Sequence, residues 1–88
     1  MREQDTPKFQ MARLEKLLAE RAPGKGIEFD LKLGSIRFRI FDLVTGTELV
    51  KPDELGWRPS NLADIKSDDV LWAKICRSSN GKLSSIEQ

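Results

Sequence analysis

Three aspartates, one thiol and two sets of cations are the side chains of this chain whose type and spacing could do chemistry. Asp64, Asp68 and Asp69 form its one acidic cluster, and oxygen ligands of this kind suit hard cations such as magnesium or calcium. A calcium loop spaces its carboxylates around a central glycine, which this stretch lacks. Ser67-Asp68-Asp69 reads instead as a helix N-cap with two acids in the first turn, where they complement the helix dipole. Cys76 is the only cysteine, with Lys74 and Arg77 close to it in sequence. It falls on the Trp72/Ile75 side of the same helix, where a buried, inert thiol is the expectation.

The missing residue types weigh more. There is no histidine, which removes the commonest general base, the histidine-activated nucleophiles and the commonest metal ligand. A single cysteine builds neither a zinc site nor a two-thiol redox pair. The glycines are scattered and form no phosphate-cradling loop. The inventory points to a protein that is not an enzyme and carries neither cofactor nor metal.

Two basic sets could instead meet a phosphate or a protein surface. Lys32, Arg37 and Arg39 alternate with apolar residues and share their face with Glu28, Asp30 and Phe41. The interleaved acids weaken a phosphate-tracking reading, and Phe41 is the one aromatic there that could stack on a base. Lys74, Arg77 and Lys82 lie along the last helix and make the better phosphate surface. Trp57, flanked by Gly56 and Arg58, closes the core from the edge or anchors an interface, because Trp and Arg are enriched at binding hot spots.

The elements that must position these groups follow from periodicity. Residues 1–5 are a flexible start, 6–81 a single α+β domain and 82–88 a flexible tail. Thr6-Pro7 reads as an N-cap followed by proline at the first helical position. Met11, Leu14, Leu18 and Ala22, with Leu17 beside them, make one apolar stripe. Phe9 falls opposite it, and Lys8, Arg13, Lys16 and Glu20 lie off its centre. Pro23 ends the helix, since the residue before a proline is pushed out of the helical region.

Ile27, Phe29, Leu31 and Leu33, then Ile36, Phe38 and Ile40, alternate with charged residues, which is the mark of half-buried strands. With Gly34-Ser35 as a two-residue turn, Leu33 would face Ile36, Leu31 would face Phe38 and Phe29 would face Ile40. Asp30 would then oppose Arg39, and Lys32 would oppose Arg37 unfavourably. A short third strand, Thr47–Val50, would set Leu49 beside Ile40 and leave an open sheet edge. Ser60 would cap a single helical turn carrying Leu62 and Ile65. A last helix would run from Ser67 to about Ser78 and stop at Asn80-Gly81. The fold class is α+β: an N-terminal helix, an antiparallel hairpin or three-stranded meander, and a C-terminal helix.

That order resembles the double-stranded-RNA-binding domain in topology. The family grips phosphates with a lysine-rich start to its second helix; the corresponding start here, Ser67-Asp68-Asp69, is acidic, so the function does not carry over. A helix-turn-helix over residues 62–75 lacks the chain for a full first helix and the expected turn glycine.

Composition supports a small globular protein. The 88 residues are 39% hydrophobic and 33% charged, and 15 Lys+Arg stand against 14 Asp+Glu. The signs are mixed along the length, with no basic arm or acidic tail. A lone cysteine, a polar opening at Met1–Asp5 and no long apolar run suggest a cytoplasmic protein with no membrane segment. The reading is a small protein-interaction module, an adaptor, inhibitor or regulatory subunit of the kind found in phages and mobile elements. It would act through Asp30, Lys32, Arg37, Arg39, Phe41, Trp57 and the open strand edge, with a homodimer through that edge as one outcome. Changing Arg37 and Arg39 to Glu would then abolish binding. The alternative is a nucleic-acid-binding regulator using Lys74, Arg77 and Lys82.

Overall fold

A computed structural model describes residues 3–52 and 56–79. After one turn of 3-10 helix at Glu3–Asp5 come helix α1 (Pro7–Arg21), strands β1 (Lys25–Lys32), β2 (Ser35–Asp42) and β3 (Glu48–Val50), and helices α2 (Pro59–Asp64) and α3 (Asp68–Ser78). The three strands form one antiparallel sheet in the order β1-β2-β3, so β2 is central and β1 is an edge. The α+β class and the α-β-β-β-α order expected from sequence are what the structure has.

Helix α1 starts where Thr6-Pro7 places it. The Phe9 N–H donates to the Thr6 hydroxyl oxygen at 3.3 Å, and Pro7 occupies the first turn, where a missing N–H leaves nothing unsatisfied. Leu14, Leu17, Leu18 and Ala22 are buried, with Met11 packed beside them. They meet Ile36, Phe38 and Ile40 of β2, Val50 of β3, Leu62 of α2, and Leu71, Trp72, Ile75 and Cys76 of α3 in one cluster. The helices therefore cover one face of the sheet. Cys76 is part of that core.

The hairpin forms, but two residues out of the expected register. The turn is Leu33-Gly34 instead of Gly34-Ser35, with φ of +55° and +78° at the two positions. Both values are positive, which defines the type I′ turn whose twist matches that of the flanking strands. Lys32 then faces Ser35, Leu31 faces Ile36, Phe29 faces Phe38 and Ile27 faces Ile40. Leu33 leaves the core row and stands 92% exposed. The charged face gains by the change: Asp30 opposes Arg37, Glu28 opposes Arg39, and the repulsive Lys32/Arg37 pairing is gone.

The third strand is also shifted. An irregularity between Ile40 and Phe41 brings Val50, not Leu49, opposite Ile40; Val50 is buried and Leu49 only half-buried. Helix α2 begins at Pro59 with Arg58 at the N-cap and no side-chain cap bond, so Ser60 lies inside the helix. In α3 the Val70 N–H donates to the Ser67 hydroxyl at 3.4 Å, and the helix closes at Ser79, whose hydroxyl donates to the Cys76 carbonyl at 2.6 Å. The expected stop at Asn80-Gly81, Lys82 and the tail 82–88 lie outside the described residues. No helix of the described residues is long and apolar enough to cross a membrane.

Candidate functional site: the outer edge of the sheet

The direction of each backbone amide in β1 follows from the hairpin. A two-residue turn is closed by a hydrogen-bonded pair, here Lys32 with Ser35, and hydrogen-bonded pairs then alternate along the ladder. Asp30, Glu28 and Gly26 bond to β2, while Leu31, Phe29 and Ile27 turn their N–H and C=O groups away from it. The far side of β2 agrees: Ile36 directs both groups away from β1, donating to the Trp57 carbonyl at 2.8 Å and accepting from the Trp57 N–H at 2.7 Å. Among the described residues no backbone bond reaches the outward groups of Ile27, Phe29 or Leu31. Their side chains point to the apolar face but lack a neighbouring strand to cover them. Ile27 and Phe29 are half-buried, and Leu31 is 50% exposed.

The sequence places the open edge beyond the third strand; the long one is on the other side, along the eight residues of β1. Strand β3 spans three residues, and further along the same edge of β2 the Trp57 backbone bridges Ile36. Gly56, at φ +71°, lets the chain reach that bridge, because an added Cβ would lie 2.8 Å from the Ser35 Cβ. The Trp57 ring meets Phe38 edge-on, with centroids 4.7 Å apart, and packs against the core. Trp57 thus sits at the rim of the core beside β2, away from the β1 edge.

The outer sheet face holds most of the partner-binding residues inferred from sequence. Asp30 and Lys32 are exposed; Arg37, Arg39 and Phe41 are half-buried. Arg39 is bound on both sides, donating to Glu28 at 2.9 Å and to Glu48 at 3.4 Å, with its guanidinium carbon 5.1 Å from the centroid of the Phe41 ring. The hydrogen bond to Glu28 and that carboxylate's charge raise its pKa further above the usual arginine value. Phe41 lies across Gly26, where a Cβ would come within 2.6 Å of its ring. This aromatic is packed rather than standing free as a stacking platform. At the far end of the hairpin, Lys25 donates to Asp42 at 2.7 Å.

Of the helical residues, Lys74, Asp68 and Asp69 are drawn into internal contacts. The Lys74 ammonium lies 4.8 Å from the centroid of the Trp57 ring. Arg77 is exposed, and Lys82 lies outside the described residues. Asp68 pairs with Arg13 at 3.2 Å and Asp69 with Arg21 at 2.6 Å; no cluster of described residues is arranged to hold a metal ion.

One residue that periodicity left off-centre is the hub of this layer. Arg13 donates through Nη1 to the Leu62 carbonyl at 3.0 Å and to Gln10 Oε1 at 3.4 Å, and through Nη2 to the Ile65 carbonyl at 2.6 Å. Nε and Nη2 also reach Asp68 Oδ1 at 3.2 Å. The guanidinium therefore joins α1 to the C-terminal carbonyls of α2, where a positive charge complements the helix dipole, and to the start of α3. It borders a groove of about 480 Å³ lined by Phe9, Lys16, Leu17, Ile65 and Lys66 among others.

Comparison with known protein families, curated proteins and solved structures gave no match.

Proposed function

We propose that this chain is a non-enzymatic protein-interaction module, an adaptor, inhibitor or regulatory subunit, that takes an extended segment of another protein onto the edge of β1. The sheet would grow by one strand, with main-chain bonds supplying affinity and alternate side chains supplying specificity. The observation that carries the reading is β1 itself. It is eight residues long and ends the sheet, and the outward N–H and C=O groups of Ile27, Phe29 and Leu31 meet no backbone partner among the described residues. Natural proteins blunt such edges unless pairing is their use.

The nucleic-acid reading has less support, since Lys74 rests on Trp57 and the pattern of charge is mixed. The paired change of Arg37 and Arg39 to Glu is a poor probe, because Arg39 holds Glu28 and Glu48. Leu31→Pro is the better one. It deletes an outward N–H without touching a ladder bond, as proline does on edge strands. Capture from a cell lysate, run with wild type and with Leu31→Pro of unchanged circular dichroism, tests the proposal. A protein held by the first and lost by the second is expected; a protein held equally by both would overturn it.

A further inference from the structure

The two faces of β1 impose a pattern on whatever strand pairs with its edge, and the inference drawn from them rests on the edge reading above. Residues that oppose one another across a ladder share a face. On the core side an incoming strand would meet Ile27, Phe29 and Leu31, half-buried or half-exposed apolar side chains. On the other side it would meet Glu28 and Asp30, both exposed. The cations that oppose these acids, Arg39 and Arg37, stand on the central strand. The carboxylates are thus the row that fronts the open edge, Glu28 held from behind by Arg39 at 2.9 Å, with Lys32 only at the hairpin end.

We propose that the occupant is an extended segment of a different protein in which apolar residues alternate with lysine or arginine. Its basic side chains lie opposite Glu28 and Asp30, and its apolar ones complete the flank of Phe29. A second copy of this chain is the poorer occupant. A two-fold antiparallel pairing of β1 with itself must match outward-facing residues with outward-facing residues. The registers centred on Glu28, Phe29 and Asp30 set Glu28 against Glu28, Glu28 against Asp30, or Asp30 against Asp30, the last flanked by Glu28 against Lys32 on either side. The register centred on Ile27 avoids such contacts but joins only residues 25–29 and lays Phe29 against Lys25, and the one centred on Leu31 joins only residues 30–32. Like charges directly opposite one another are unfavourable.

Two capped, fluorescently labelled synthetic hexapeptides test this by anisotropy at low ionic strength: one alternates valine with lysine, the other valine with glutamate. The lysine peptide should bind about tenfold more tightly, the combined effect of two cross-strand pairs changing sign, and salt should narrow the gap. Glu28→Gln with Asp30→Asn, or Asp30→Asn alone if the pair unfolds, should shrink the preference. Leu31→Pro should abolish binding of both peptides. Equal binding of both peptides, lost in Leu31→Pro, would overturn the charge pattern and leave the edge reading standing. Binding indifferent to Leu31→Pro, or none by either peptide, would overturn the edge reading itself. A wild-type dimer in light scattering that Leu31→Pro dissolves would overturn the choice of occupant.

Discussion

Replacing Arg13 with alanine removes the tie between α1 and the two helices that follow the sheet. Five hydrogen bonds to four partners decide the size of the effect. Those to the Leu62 and Ile65 carbonyls, at 3.0 and 2.6 Å, come from an arginine side chain only 17% exposed, and a bond to a charged group contributes about 1.5–3 kcal/mol. The contact with Asp68 adds little, because that carboxylate is 59% exposed and surface pairs give about 0–1 kcal/mol. The Gln10 contact, at 3.4 Å, is long. Water will partly replace the guanidinium at the freed carbonyls, so the net loss should be about 2–4 kcal/mol. At about 4–8 °C per kcal/mol for a domain of this size, the melting temperature should fall by roughly 8–32 °C. Arg13→Lys should recover less than half, since one ammonium cannot reproduce a planar fork aimed at two carbonyls and a carboxylate. Urea unfolding followed by tryptophan fluorescence, with far-ultraviolet circular dichroism as a second probe, measures both variants. Arg13→Ala within about 0.5 kcal/mol of wild type, or Arg13→Lys indistinguishable from it, would refute the hub role.

Further outcomes follow from single residues. Leu33→Asn should stabilise the hairpin by about 0.5–1 kcal/mol, because the leucine holds φ at +55° while 92% exposed and Asn-Gly is the preferred type I′ pair; thermal unfolding that shows a loss would contradict the turn assignment. Gly56→Ala should cost about 1–3 kcal/mol in urea midpoints, since φ is +71° and the new Cβ would lie 3.2 Å from the Ile36 carbonyl oxygen. Asp42 accepts from Lys25 and from the Thr45 and Val44 N–H groups, which hold its carboxyl at about 2 against an ordinary 3.8. The native state therefore binds fewer protons than the unfolded chain there, so stability rises with pH across that window. The stability gap between wild type and Asp42→Asn should be full above pH 3.8 and vanish as pH falls through about 2; a gap that stays constant down to pH 2 would count against the pairing.

How far the sequence could be read depended on which interactions were local. The faces of β1 and β2 were legible because apolar and charged residues alternate, and the cap of α3 because Ser67-Asp68-Asp69 is a short-range signal. The register was not, since a slip of two residues keeps every side chain on its face. What separates the two registers is the turn and the cross-strand charges. The observed one opposes Glu28 to Arg39 and Asp30 to Arg37, and comparing those pairings would have chosen it. The irregularity at Ile40/Phe41, which exchanges Leu49 for Val50, leaves no local trace. Arg13 and the bridge of Trp57 to Ile36 act between residues far apart in the chain, where periodicity carries no information. The order β1-β2-β3 leaves β3 at one edge, where the sequence put an open edge, and the longer β1 at the other, which the sequence did not single out.

Amide hydrogen exchange along β1 tests the edge most directly, residue by residue. The free protein should exchange Ile27, Phe29 and Leu31 quickly and Glu28 and Asp30 slowly, and the valine–lysine peptide should slow the first three. Uniform protection of all five amides in the free protein, or no slowing with peptide, would contradict the account.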